Sequence, residues 1–228
     1  MRSRILFITG TDTSVGKTLL TSLLARHLRE RCVAVAALKP ICSGGRADAR
    51  ALHFFLDGAL TLDEINPWHF RAPLAPLLAA RREHRRVDLA NVLAHVRQIQ
   101  RRFDVVLVEG AGGLLSPLGD DFNSRHLILA LRAIPIIVCP NRLGVVNHVL
   151  LTIEALPRVI ARHAQVVLMS PRRSDLAGRT NPRFLAAILG PDRVHELPWL
   201  SVAVNSERAL ASSRVRRVLE ALHAGRTG

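Results

Sequence analysis

The amino-acid sequence predicts an α/β fold: a doubly wound, mostly parallel sheet flanked by helices. Three observations support this. Short β-branched runs alternate with amphipathic stretches along the 228 residues, the arrangement of repeated βα units. The runs are apolar almost throughout, as strands covered on both faces are. The first of them leads through a turn of glycine, hydroxyls and one lysine ("GTDTSVGKT", Gly10 to Thr18) into a helix with an apolar stripe, which points to the phosphate-loop NTPase type of this architecture.

The expected strands are Arg4–Thr9, Cys32–Leu38, Asp104–Val108, Ile134–Cys139, Gln165–Met169 and Arg193–Leu197. Helical periodicity is carried by Leu20, Leu23, Leu24 and Leu28, then by Leu89, Val92, Leu93, Val96 and Ile99. A third helix carries Val146, Val149, Leu150 and Ile153, and Pro157 ends it near Leu156. The last runs from about Ser206 to Leu222. The stretch "INPWHFRAPLAP" (Ile65 to Pro76) reads as a loop too short to separate domains. With no internal repeat or linker, residues 1–228 are expected to form a single domain.

Composition narrows the function. No apolar run reaches the roughly 18 residues that cross a bilayer, and the opening "MRSRILFITG" lacks a small-residue cleavage site, so the chain is expected to be cytoplasmic. Cys32, Cys42 and Cys139 lie far apart without CxxC spacing and read as reduced thiols. The formal charge of +14 invites a nucleic-acid reading, but the arginines fall in scattered pairs and aromatics make up 4% with no Tyr to stack bases. A solvated basic surface is the better reading. Of 32 basic residues only Lys17 and Lys39 are lysine; at two places a compact ammonium stands where a planar guanidinium fork need not fit.

The turn after the first strand misses the strict phosphate-loop pattern by one residue, because Thr11 stands at the first-glycine position and Gly10 precedes it. Its mechanics are intact. Gly16 lets the backbone approach a phosphate, the helix N-terminus faces the anion, and Lys17 reaches the outer phosphates. Thr18 can ligate Mg²⁺. Ligands of a doubly wound sheet sit beyond the carboxyl ends of its strands. There "LKPICSGG" presents Lys39 and Ser43, which alone could be a surface turn, followed by Asp48, which alone could be a helix N-terminal carboxylate. "VEGAGG" presents Glu109, either a metal ligand or an ion-pair partner. Thr18, Asp48 and Glu109 together would give Mg²⁺ the hard oxygens it needs beside nucleotide phosphates.

The motifs "GTDTSVGKT", "KPICSG", "NPWHF..APLAP", "VEGAGG", "RLGVVNH" and "LPWL", in this order from about Ile5 to Leu200, resemble the dethiobiotin synthetase family. The resemblance implies an ATP- and Mg²⁺-dependent ligase that joins CO₂ to 7,8-diaminopelargonic acid and closes a cyclic urea, working as a homodimer with active sites at the interface. It implies Thr18, Asp48 and Glu109 as Mg²⁺ ligands. Nucleotide contacts then fall to Ser14, Val15, Gly16, Lys17, Thr18 and Leu19, with Asp48, to Glu109, Gly110, Ala111 and Gly112, and to Ser170, Pro198, Trp199 and Leu200. Lys39 and Lys17 take catalytic roles, Thr13 helps hold the phosphoryl group, and Ser43 contacts the substrate. Leu143, Gly144 and Asn147 correspond to the segment that receives the substrate carboxylate from the second subunit.

Three features depart from the family. Ser170 stands where an asparagine reads adenine, so looser discrimination among nucleoside triphosphates is expected. Phe184 is the closest match to a late tyrosine, and Arg142 replaces a usual lysine. The alternatives are a partitioning or positioning ATPase, whose extra early lysine is replaced by Thr11 and Asp12, an amidating synthetase, whose glutaminase domain 228 residues cannot house, and a catalytically altered regulator.

Overall fold

The computed structural model describes residues 3–200 and 206–224. Its main sheet has six strands: β1 (Arg4–Gly10), β2 (Val35–Leu38), β5 (Val105–Glu109), β6 (Ile134–Pro140), β7 (Gln165–Met169) and β8 (Val194–Leu197). Their order is β2-β5-β1-β6-β7-β8, and every pairing is parallel. The expected fold class and all six expected strands are therefore present. The central strands are buried along nearly their whole length, which is why they read as continuous apolar runs rather than alternating ones.

The chain starts in the middle. From β1 it reaches the β2 edge through α1 (Lys17–Glu30), returns to β5, and then crosses to β6, β7 and β8. With right-handed crossovers this reversal puts the helices before and after it on opposite faces. α1 packs with α2 (Ala47–Phe55), α10 (Ser206–Ala211) and α11 (Ser213–Ala224). On the other side α5 (Leu89–Gln100) meets α6 (Ser124–Leu131), and α7 (Val145–Glu154) meets α9 (Leu176–Leu189). Short helices α3 (Leu62–Ile65), α4 (Pro76–Arg82) and α8 (Arg158–Ala161) complete the layers. The reversal leaves a crevice at the carboxyl end of β1, flanked by β5 and β6, where this architecture places ligands.

Three sequence expectations are corrected. The second strand begins at Val35 rather than Cys32, because Cys32 turns left-handed (φ 59) and its N–H closes the end of α1 on the Arg29 carbonyl. The terminal helix is two helices, since Ser212 steps out of α10 and accepts from the Arg216 N–H as the next helix starts. The loop at Ile65 to Pro76 contains a strand, β4 (Trp68–His69), which pairs in parallel with β3 (Ile41–Cys42) in a second small sheet. Two-residue strands are too short for any periodicity to announce them.

Candidate active site

Gly10 closes β1. A Cβ there would lie 2.8 Å from Val15 Cγ2 and 2.9 Å from the Asp12 carbonyl, so only glycine lets the turn fold back over the strand end. This is the physical reason the first glycine precedes its usual position. Ser14 (φ 54) and Gly16 (φ 98) are both left-handed, a geometry that curls successive N–H groups around a concavity suited to an anion. At Gly16 the left-handed backbone itself favours glycine, and the flexible Met169 Cε at the end of β7 lies 2.8 Å from its would-be Cβ. α1 starts at the next residue with no acidic side chain in its first turn, which leaves its positive end available to phosphate.

Lys17 Nζ donates to the Asp12 carbonyl at 2.7 Å, bridging its own loop. Burial, and then the nearby Lys39 ammonium, lower its pKa to about 8. Lys39 leaves β2 and is buried, with its ammonium bonded to Asp48 Oδ2 and, at 2.6 Å, to Glu109 Oε1. Burial opposes that charge, yet Glu109 and Asp48 outweigh it and hold the Lys39 pKa above the usual lysine value. Burial likewise works against the Asp48 carboxylate, but Lys39 keeps its pKa below the usual range. Glu109, the last residue of β5, is only 1% exposed, and Thr18 Oγ1 donates to its Oε1 at 2.7 Å. Glu109 is thus an ion-pair partner, one of the two roles its sequence position allowed.

The same residues fit a divalent cation. Glu109 Oε2 is buried and has no hydrogen-bond partner among the described residues, and Asp48, Glu109 and Thr18 offer hard oxygens only. Two carboxylates and a hydroxyl suit Mg²⁺, which keeps waters and takes substrate phosphate oxygens rather than a full protein cage. Among the described residues there is no group of three or more His, Cys, Asp or Glu that could hold a metal.

A cleft of about 410 Å³ gathers most of the expected residues: Thr13, Ser14, Gly16, Lys17, Thr18, Leu19, Lys39, Ser43, Asp48, Glu109, Ala111 and Gly112 line it. Both lysines of the chain are in it. Ser43 Oγ donates to the Leu74 carbonyl at 2.6 Å, so its lone pairs are what it can offer a ligand. Val15 is buried under the turn, and Gly110 backs the cleft, with Ser124 Oγ and Phe7 where a side chain would go. Cys42 also lines the cleft although sequence reasoning passed it over; its place between Lys39 and Ser43 in "KPICSG" was the signal. Its single S–H hydrogen is shared between the Gly45 carbonyl and Asn66 Oδ1, and burial pushes its pKa up.

The remaining expected residues lie outside this cleft. Ser170, Pro198, Trp199 and Leu200 follow β7 and β8, on the far side of the phosphate loop from Lys39. Ser170 Oγ donates to Glu196 Oε1 at 2.6 Å, and the Arg172 guanidinium lies over the Trp199 ring. Leu143, Gly144 and Asn147 sit at the start of α7 and face outward, with Leu143 82% exposed. Phe184 is exposed on α9. No described helix is long and apolar enough to cross a membrane.

Comparison with known proteins places the chain among relatives. A family model described as an AAA domain matches residues 4–207. The ATP-dependent dethiobiotin synthetase of Anaeromyxobacter sp. is 38% identical over 92% of this chain and 96% of that protein. The Bacillus subtilis synthetase is 36% identical over 81% and 82%, and that of Thermodesulfovibrio yellowstonii 32% over 86% and 88%. Among solved structures, a chain of the MinC:MinD cell division protein complex of Aquifex aeolicus superposes with a TM-score of 0.60 at 14% identity, covering 99% of this chain and 98% of that one. A DUF1611 family protein from Anabaena variabilis gives 0.51 at 13% identity, covering 98% and 58%. These two likenesses speak to the fold alone. The identities to the synthetases, sustained over nearly the full length of both chains, place this chain in the ATP-dependent dethiobiotin synthetase family.

Proposed function

We propose that the chain synthesises dethiobiotin for biotin biosynthesis, using ATP, CO₂ and 7,8-diaminopelargonic acid, as a single cytoplasmic domain that pairs as a homodimer. The observation that supports this most is the buried Lys39 ammonium, held between Asp48 and Glu109 and facing the phosphate loop. One amine of the substrate adds to CO₂ and loses a proton, giving a carbamate. A carbamate is a poor electrophile, so its oxygen takes the γ-phosphoryl group of ATP and releases ADP. The second amine then attacks the carbonyl carbon and loses a proton, phosphate leaves with the electrons of the C–O bond, and the cyclic urea closes.

Little covalent work falls to the protein; its task is to place positive charge where negative charge develops. Lys17 reaches the outer phosphates and Lys39 stands between the phosphoryl group and the carbamate. Thr13 holds the transferring group, and Ser43 accepts a hydrogen bond from the substrate. Thr18, Asp48 and Glu109 would hold Mg²⁺, which neutralises phosphate oxygens when bound.

The substrate carboxylate is received by Leu143, Gly144 and Asn147 of the second subunit. An apolar surface supports the dimer: Leu143 and Leu151 on or beside α7, and Leu176, Phe184 and Ile188 on α9, are all exposed. The base lies beyond β7 and β8. There the single hydroxyl of Ser170, already committed to Glu196, gives less discrimination among ATP, CTP and GTP than a side-chain amide. Incubation with diaminopelargonate, bicarbonate, Mg²⁺ and ATP, followed by mass detection, should yield dethiobiotin with one ADP per product. ATP hydrolysis without dethiobiotin would overturn the proposal.

A further inference from the structure

The catalytic reading of Lys39 leaves open what holds this residue in place. Lys39 lies just past the end of β2 and is followed by Pro40, which has no N–H to anchor the turn. Both residues are buried, so their carbonyls need partners within the protein. Asn66, fully buried, supplies one. Its Nδ2 donates to the Lys39 carbonyl at 2.7 Å and lies 3.4 Å from that of Pro40, while its Oδ1 accepts from the Cys42 thiol at 3.1 Å. Alongside, the backbone of the "NPWHF" segment runs against the same turn. The Lys39 N–H donates to the Ile65 carbonyl, Trp68 N–H to Pro40, and Phe70 N–H to Cys42, each at 3.0 Å.

We infer that Asn66 is a positioning residue for the reaction: its side-chain amide clamps the backbone of Lys39 and Pro40 and so sets the direction in which the Lys39 ammonium enters the cleft. The inference rests on Lys39 acting in phosphoryl transfer. The chemistry of the position is demanding. The amide must donate on one side and accept on the other, which aspartate cannot do when ionised and alanine cannot do at all. Among the described residues the side-chain partners of Asn66 are Lys39, Pro40, Cys42 and Trp68, none of them in the phosphate loop at residues 10–18. Losing it therefore disturbs Lys39 and leaves ATP capture alone.

The test measures dethiobiotin formation by Asn66→Asp, Asn66→Ala, Lys39→Ala and the two double variants, with the KM for ATP determined for each. Misplacing a catalytic group by about an ångström can lower turnover on the order of 100-fold. The Asn66 variants should accordingly lose about 10- to 100-fold in kcat with the KM for ATP within about threefold. In the Lys39→Ala background the same Asn66 changes should have little further effect, because both act through one ammonium. Unchanged kcat in the Asn66 variants beside an inactive Lys39→Ala would overturn the inference, as would losses that multiply in the double variants. Full activity of Lys39→Ala would instead overturn the reading of Lys39 beneath it. Should the Asn66 variants not fold, the thiol provides a second approach: Cys42→Ala removes the donor to Oδ1 and should lower kcat more than Cys42→Ser, which retains one. Equal kcat for these two would also count against the clamp.

Discussion

The two ends of the parallel sheet are both rich in cations, and they use them in opposite ways. At the carboxyl end, two ammonium groups are buried around a small cleft, one of them bonded to two carboxylates. At the amino end lies a broader groove of about 1260 Å³, lined by Arg97, Arg101, Arg102 and Arg132 with Asp104 as its only acid among the described residues. These arginines are exposed. Arg97 lies in the last turn of α5 and Arg101 caps it, while Arg132 caps α6 and Arg97 donates to the Ala130 carbonyl near that helix end. Helix C-termini present unsatisfied carbonyls and the negative end of the macrodipole. Arginine there meets helix ends, and Arg102 pairs with Glu64. The contrast ties part of the +14 charge to helix ends, and it puts both lysines at the end where space is tight and a compact ammonium fits.

The largest expected effect is at the cleft. Lys39→Ala should lower dethiobiotin turnover by about 10²–10³-fold, the scale of losing one preorganised charge at a transition state. Lys39→Arg should not restore it, because the larger fork would occupy the carbamate space; near-normal turnover of that variant would break the distinction between the two ends.

A second effect separates ion pair from metal site. With Lys39 bonded to both Asp48 and Glu109, its ammonium opposes a metal drawn to the same carboxylates. Lys39→Met should therefore bind Mn²⁺ at least about tenfold more tightly in the absence of nucleotide, read by electron paramagnetic resonance, since a competing cation is gone from the carboxylates. Unchanged affinity would mean that these carboxylates are not the metal's ligands.

A smaller effect comes from Lys17, whose pKa of about 8 lies below the usual 10.5. In the free protein it is charged below pH 8 and loses its proton above. Phosphate binding favours the charged form, so between pH 8 and 10.5 binding must take up a proton. Affinity for a non-hydrolysable ATP analogue should fall as pH rises from 7 to 9.5, and calorimetry in buffers of different ionisation heat should show the uptake. The unfolded chain keeps this proton up to 10.5, so the lysine disfavours the fold below pH 8 and the penalty fades as pH rises through that window. The smallest effect is at the amino end. Arg101→Ser with Arg132→Ser should leave turnover within about twofold while lowering stability by about 0.3–1 kcal/mol per helix end at low salt, an effect that salt screens.

Legibility in the sequence followed the length scale of each feature. The strand, turn and helix from Arg4 to Glu30 are contiguous, so propensity, periodicity and the glycine positions all act within one segment. Lys39, Ser43, Asp48 and Glu109 could be read as strand-end residues because parallel sheets put their loops on one side. Asn66 could not. Its role depends on a segment of two-residue strands aligned beside the Lys39 turn, and no local pattern encodes that alignment.

By itself, then, the sequence determined which strands of the main sheet form, that they run parallel, and which polar groups stand at their carboxyl ends. Those outcomes follow from local apolar patterning and from the sterics that make crossovers right-handed. Only the tertiary structure decided which groups pair: Lys39 with Asp48 and Glu109, Lys17 with the carbonyl of its own loop, and Asn66 with the Lys39 backbone. Such choices depend on distances of a few ångströms between segments up to 70 residues apart, and on a dielectric that becomes low only once the sheet has closed over them.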